Sequence, residues 1–129
     1  MTRRILVIDD ERSFLPEAIP DGTIVRYART ATQAIDDLRW EPWDEVWWDH
    51  DLGRGGETKE IIAWMFAKVV TQNEGSFAVL PTVHSHVVHS LNFSPDGRER
   101  IYKDLRAMYG DTKVRMADPK DSGLVFTEV

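Results

Sequence analysis

The sequence predicts an α/β fold: a single three-layer domain on a mainly parallel five-stranded sheet, its first helix shortened or missing. Three observations carry that expectation. Apolar runs rich in β-branched residues alternate with segments of helical period. Pro16 and Pro20 disrupt the short interval between Glu11 and Gly22, where a first helix would lie. Each of three polar motifs sits at the C-terminal end of an apolar run.

Residues 3–8 are a continuous apolar run of the kind buried on both faces of a parallel sheet. Residues 23–28 form the second strand. Thr30 or Thr32 caps a helix through about Leu38, with Ala31, Ala34, Ile35 and Leu38 on one face. Pro42 ends that unit, and residues 45–48 are the third strand. After the glycine-rich loop 53–56, Thr58 caps a helix to about Val70 that buries Ile61, Ile62, Met65, Phe66 and Val69. The fourth strand covers about residues 86–91. Ser94 caps the next helix with Pro95 at its first position, and Gly110 stops it after Met108. Residues 113–117 are the fifth strand, and 124–129 are a candidate edge strand. The order implies right-handed crossovers in one domain, 1–129, with its core at about 3–117.

A chain of 129 residues, 42% hydrophobic and 29% charged, has the make-up of one soluble globular domain. A net charge of −6 and a pI near 5.1 argue against a broad basic surface for duplex nucleic acid. They leave room for a small nucleotide or a single-stranded end. With no cysteine, disulfides, thiolate metal sites and cysteine nucleophiles are excluded. Arg3 and Arg4 lead straight into a strand, and no run approaches the about 20 apolar residues of a membrane span. A cytoplasmic protein with no membrane partner is expected; no protein partner can be named.

The chemistry lies in Ile8-Asp9-Asp10-Glu11-Arg12, Trp48-Asp49-His50-Asp51-Leu52-Gly53 and His89-Ser90-Leu91-Asn92. Strand ends of an open α/β sheet line one crevice, so these groups converge. Converging carboxylates repel unless a cation neutralises them, which points to a metal-assisted site acting on phosphate. Asp9, Asp10, Asp49 and Asp51 are the candidate ligands, hard oxygens suited to Mg²⁺ or Mn²⁺. The neighbouring histidines also suit Fe²⁺ or Zn²⁺. His89 and His50 are candidates for proton transfer, since imidazole titrates nearest neutral pH. Arg12 would clamp phosphate bidentately, while Ser90 and Asn92 would position its non-bridging oxygens.

Each of these groups also has an ordinary reading. Asp9 and Asp10 suit a turn after a strand, and Asn92 suits a left-handed turn. Arg12 can be a surface arginine and His50 a solvated loop histidine, whereas His89 can be a core histidine. Strand alternation would put Asp49 and Asp51 on one face and His50 on the other. Trp40, Trp43, Trp47, Trp48 and Trp64 are expected mostly in the core, with Trp47 or Trp48 a candidate to border the site. Glu17, Asp36, Asp37 and Glu41 read as a solvated face.

The three motifs resemble the receiver (flavodoxin-like) fold of two-component signalling, with an acidic pair after strand one, Asp49 after strand three and Ser90 after strand four. They are more similar still to cyclic-phosphate-processing receiver-like domains, over about residues 3–117. Members carry Asp-Asp-x-Arg, Asp-His-Asp-Leu-Gly and His-Ser-x-Asn, here Asp9 to Arg12, Asp49 to Gly53 and His89 to Asn92. There are departures. A signalling receiver ends strand five in Lys-Pro, and this chain has Ala117-Asp118-Pro119-Lys120. A glycine that soon follows the third motif in the family comes later here, at Gly97. His84-Ser85-His86 partly mimics the third motif just upstream of it.

The resemblance implies a metal-dependent phosphoesterase acting on a cyclic phosphate: an RNA 2′,3′-cyclic phosphate end or a cyclic nucleotide signal. It also allows Asp49 to attack phosphorus itself, as an alternative to water. The rivals are a non-catalytic module that binds a phosphorylated small molecule or a protein, and a phospho-acceptor response-regulator receiver. His89 discriminates between catalysis and binding: an imidazole in the crevice beside Asp49 favours the first, and one packed in the core favours the second.

Overall fold

Five strands pair in parallel in the order β2-β1-β3-β4-β5. They are β1 (Arg3–Ile8), β2 (Thr23–Ala28), β3 (Trp43–Asp49), β4 (Val83–His89) and β5 (Val114–Met116). Three helices alternate with them: α1 (Ala31–Trp40), α2 (Glu57–Asn73) and α3 (Pro95–Tyr109). The computed structural model describes residues 2–9, 13–49, 57–73, 80–89 and 95–117. The order 2-1-3-4-5 is that of flavodoxin-like sheets, whose strand order reverses direction between β1 and β3. As the prolines predict, no full helix joins β1 to β2 in the described residues. A single 3₁₀ turn, Pro16–Ala18, occupies that stretch.

Strand alternation sorts the side chains to two sides of the sheet. On one side Leu6, Ile8, Val46, Trp48 and Val88 meet Ala34 and Leu38 of α1, Ile61, Ile62 and Met65 of α2, and Ile101 and Leu105 of α3. On the other, Ile5, Val7, Trp47 and Val87 meet Phe14 and Ala117, with Ile19 packed alongside. Among the described residues all three helices therefore serve one side, and the 13–20 link serves the other. No helix of the described residues is long and apolar enough to cross a membrane.

Local signals set several boundaries. Thr30 caps α1, its side chain accepting from the Gln33 N–H at 3.2 Å, while Gln33 Oε1 accepts from the Arg29 N–H at 2.7 Å. Gly110, at φ +94°, closes α3 with its N–H bonded to the Arg106 carbonyl at 2.8 Å.

Other expectations need correction. Thr58 is no cap: α2 begins at Glu57, and Thr58 lies in its first turn, buried. β4 runs three residues earlier than its pattern predicts, starting at Val83, because polar His84 and Ser85 fall at the half-exposed beginning of the strand. Trp40 is not core; it ends α1 at 72% exposure, with its indole N–H on Asp36. Nor are the acids of α1 and its C-cap merely solvated: Asp37 and Glu41 both pair with Arg26, and Glu41 also pairs with Arg4. The Ser94 cap and the 124–129 strand lie outside the described residues.

Candidate functional site

Register brings the motifs together. Ile8 of β1 pairs with Trp48 of β3, so Asp9 and Asp49 follow side by side on strands about 4.8 Å apart. Asp49 in turn pairs with His89 of β4. On the outer flank the Asp9 N–H bonds the Ala28 carbonyl of β2 at 3.1 Å, and beyond β4 the Ala117 N–H bonds the Val88 carbonyl at 2.8 Å. A single row of residues thus crosses the C-terminal edge of the sheet: Arg29, Asp9, Asp49, His89, Ala117. The Asp9–Asp49 step is the switch point between β1 and β3, where open α/β sheets bind ligands.

Asp9 is 1% exposed and His89 fully buried. The His89 ring lies 5.6 Å from that of Trp47, which meets Phe14 edge-on at 5.2 Å. Trp47 therefore borders the row, while, as expected of the tryptophans, it is also buried in the core. Its indole N–H donates to Glu45, which is paired with Arg3 at 2.7 Å, and Arg115 lies over its ring. Thr58 is buried at the start of α2, the helix that follows β3, and so lies at the same edge.

The ambiguity among the histidines is resolved by alternation. His86 faces the helices, where its Nδ1 accepts the Trp48 indole N–H at 2.9 Å and its ring meets Tyr109 at 4.3 Å. Burial, helped by the charge of Lys113, pushes the His86 imidazole down to about 3. His84 is exposed at the opposite, N-terminal end of β4. Only His89 of these three reaches the row.

Of the sequence-derived site residues, the structure thus places Asp9 and His89 in full and Asp49 by its strand backbone. Asp10, Arg12, His50, Asp51, Ser90 and Asn92 lie outside the described residues. Among the described residues no three His, Asp or Glu side chains group as a cation site. A buried strand-end carboxylate beside Asp49 is nonetheless the hard-oxygen chemistry that Mg²⁺ or Mn²⁺ requires. Arg29 had no motif to mark it. Its guanidinium reaches back to the Asp9 carbonyl at 3.2 Å and to Ser13 Oγ at 2.7 Å, and only the β1–β2 register reveals that convergence.

The family model of the cyclic-phosphate processing receiver domain matches residues 4–107, which contain the whole row except Ala117. The chain belongs to that family. A solved receiver domain shares its fold. The response regulator receiver domain of Methanospirillum hungatei JF-1 is 18% identical, covering 95% of this chain and 88% of its own, with a TM-score of 0.51. A response regulator from Thermotoga maritima is 20% identical over 96% of this chain and 92% of its own, with a TM-score of 0.48. No curated protein matches the sequence.

Within this receiver-like frame β5 ends differently from a signalling receiver. Ala117, buried, occupies the end of the row, and the chain's Pro119-Lys120 follows outside the described residues.

Proposed function

We propose that this receiver-like domain is a divalent-metal-dependent phosphoesterase that opens a cyclic phosphate, an RNA 2′,3′-cyclic phosphate end or a cyclic nucleotide, in the cytoplasm. The observation that supports it is the row Asp9, Asp49, His89 on three adjacent strand ends, with an imidazole one strand from the candidate metal ligands. Asp9, Asp10, Asp49 and Asp51 would hold Mg²⁺ or Mn²⁺. The bound cation supplies neutralisation of phosphate charge and acidification of water. His89 or His50 takes the proton of the attacking water and returns one to the leaving alkoxide. Water thereby adds to phosphorus as one P–O ester bond breaks, and no further reactant is consumed. Arg12, Ser90 and Asn92 hold the non-bridging oxygens. Attack by the Asp49 carboxylate, followed by hydrolysis of the acyl phosphate, is the variant route.

A second reading has one observation in its favour. His89 is fully buried against Trp47, as a core histidine would be, and that favours a module that binds a phosphorylated ligand without turning it over.

Phosphorus NMR on a panel of cyclic phosphates, with Mg²⁺, Mn²⁺ or chelator, decides between the two. Metal-dependent ring opening is expected, and His89→Ala should lower its rate about 10²–10⁴-fold while ligand binding persists. His50→Ala should lose less. Tight binding with no turnover of any compound would establish the binding module instead.

A further inference from the structure

A cavity of about 370 Å³ opens at the opposite end of the sheet from the row, where β3 and β4 begin. The last residues of α1, the middle of α2 and the residues just before β4 line it. β4 runs seven residues, so the cavity and His89 lie about 20 Å apart along that strand. Buried Leu38 and Pro81 and half-buried Leu80 give it an apolar lining. Its volume falls in the small-ligand range of about 300–1,000 Å³.

Two cations flank one indole there. The Arg39 guanidinium lies 5.7 Å from the centroid of the Trp64 ring and the Lys68 ammonium 5.5 Å from it. Among the described residues neither has a carboxylate partner. Glu41 also lines the cavity, but its two oxygens are taken by Arg4 and Arg26. In a chain of net charge −6, the cavity thus keeps two uncompensated positive charges. Trp40 lines the same cavity at 72% exposure, and its indole N–H is fixed on Asp36 at 3.1 Å. A large aromatic ring left in water and held by a hydrogen bond is a ready stacking surface.

We infer that this cavity is a second site, separate from the row, that binds a nucleoside monophosphate. The phosphate takes charge-assisted hydrogen bonds from Arg39 and Lys68, and the base stacks on the Trp40 indole. Arginine offers a planar fork of donors and lysine a mobile point charge, a pair suited to a phosphate group. Charge selects the ligand: a neutral aromatic would leave both cations unanswered, and inorganic phosphate would leave the indole bare. A concave site of this size suits one nucleotide, whereas a stable protein partner covers about 800 Å² of surface per side. No residue of the row and no metal takes part, so the site stands whether or not the row is a phosphoesterase.

Titration calorimetry of the full chain with 5′-AMP, in chelator and at low salt, tests the site. Wild type is expected to bind AMP, with adenosine and inorganic phosphate each about tenfold weaker or worse. Arg39→Ala and Lys68→Ala should each weaken AMP about tenfold or more. Trp40→Ala should weaken it about tenfold, while Trp40→Phe, which keeps a ring, should lose less. Arg39 and Trp40 are exposed at the end of α1, so these substitutions leave the core intact. Asp49→Asn, at the far end of the sheet, should bind AMP as wild type does. No AMP binding by wild type, or undiminished binding in the Arg39→Ala/Lys68→Ala double variant, would overturn the inference. So would loss of binding in Asp49→Asn with the cavity variants unaffected, which would move the nucleotide to the row and leave the phosphoesterase reading standing. Inorganic phosphate binding as tightly as AMP would overturn the nucleotide assignment.

Discussion

Lowering the pH from 7.5 to 5 should cost the folded protein about 2 kcal/mol through His86 alone. The imidazole is buried on the helix side of β4, and its Nδ1 accepts the Trp48 indole N–H, so the neutral ring is the form that fits. Burial and then Lys113 hold it at about 3, against 6.5 for the free side chain. The unfolded chain thus takes up a proton below pH 6.5 that the folded chain refuses until about pH 3. Stability from this group is complete above pH 6.5 and is lost as the pH falls through that window. At pH 5 the linkage relation gives about 2 kcal/mol, and the loss approaches 5 kcal/mol near pH 3 as an upper bound. Urea unfolding at pH 7.5 and 5, in chelator, measures the effect in wild type and in His86→Gln, whose amide oxygen still offers Trp48 an acceptor. The variant should be less stable at pH 7.5 and should lose about 2 kcal/mol less than wild type on acidification. An identical pH dependence in the two proteins would refute the assignment to His86.

Three further outcomes follow from the same geometry. Mn²⁺ at 100 times its dissociation constant should stabilise the wild type by about 2.7 kcal/mol, seen as a higher melting temperature, and Asp10→Asn should abolish the shift. An undiminished shift in that variant would remove Asp10 from the site. Gly110→Ala should cost about 1 kcal/mol, or about 4 °C by calorimetry, because the added Cβ meets open space and only the φ of +94° is strained. Arg26→Ala should cost at most about 1 kcal/mol in urea unfolding, less at high salt, since its ion pairs with Asp37 and Glu41 are close to water.

The strands were legible where side-chain chemistry is uniform. Ile5 to Ile8 and Val46 to Trp48 are buried on both faces of the sheet, so a continuous apolar run identifies them at once. β4 was harder to place because a parallel strand can begin at an exposed edge, where His84 and Ser85 carry no penalty. Thr30 and Thr58 look alike as caps. Whether the hydroxyl reaches a free N–H or is buried depends on the path of the preceding loop, which composition does not encode. Trp40 satisfies the helical period of α1, but as the last residue of the helix it lies past the edge of the sheet. For the site, the three motifs marked the strand ends, yet Arg29 was invisible. A lone arginine after a strand gains meaning only from partners twenty and sixteen positions away.

The two ends of the row bear on what kind of receiver-like domain this is. Clustered negative charge at strand ends calls for a neutralising cation or positive side chain. At the β5 end this chain presents buried Ala117, whose methyl carries no charge, and its backbone N–H is already committed to Val88. At the β2 end it presents Arg29, whose guanidinium donates to the Asp9 carbonyl and to Ser13 Oγ. Between them stands His89, fully buried, its ring against that of Trp47 and its backbone one strand from Asp49. His89 is buried as a core histidine would be, so the rate and binding of His89→Ala, and not its burial, separate the proposed catalysis from a binding module.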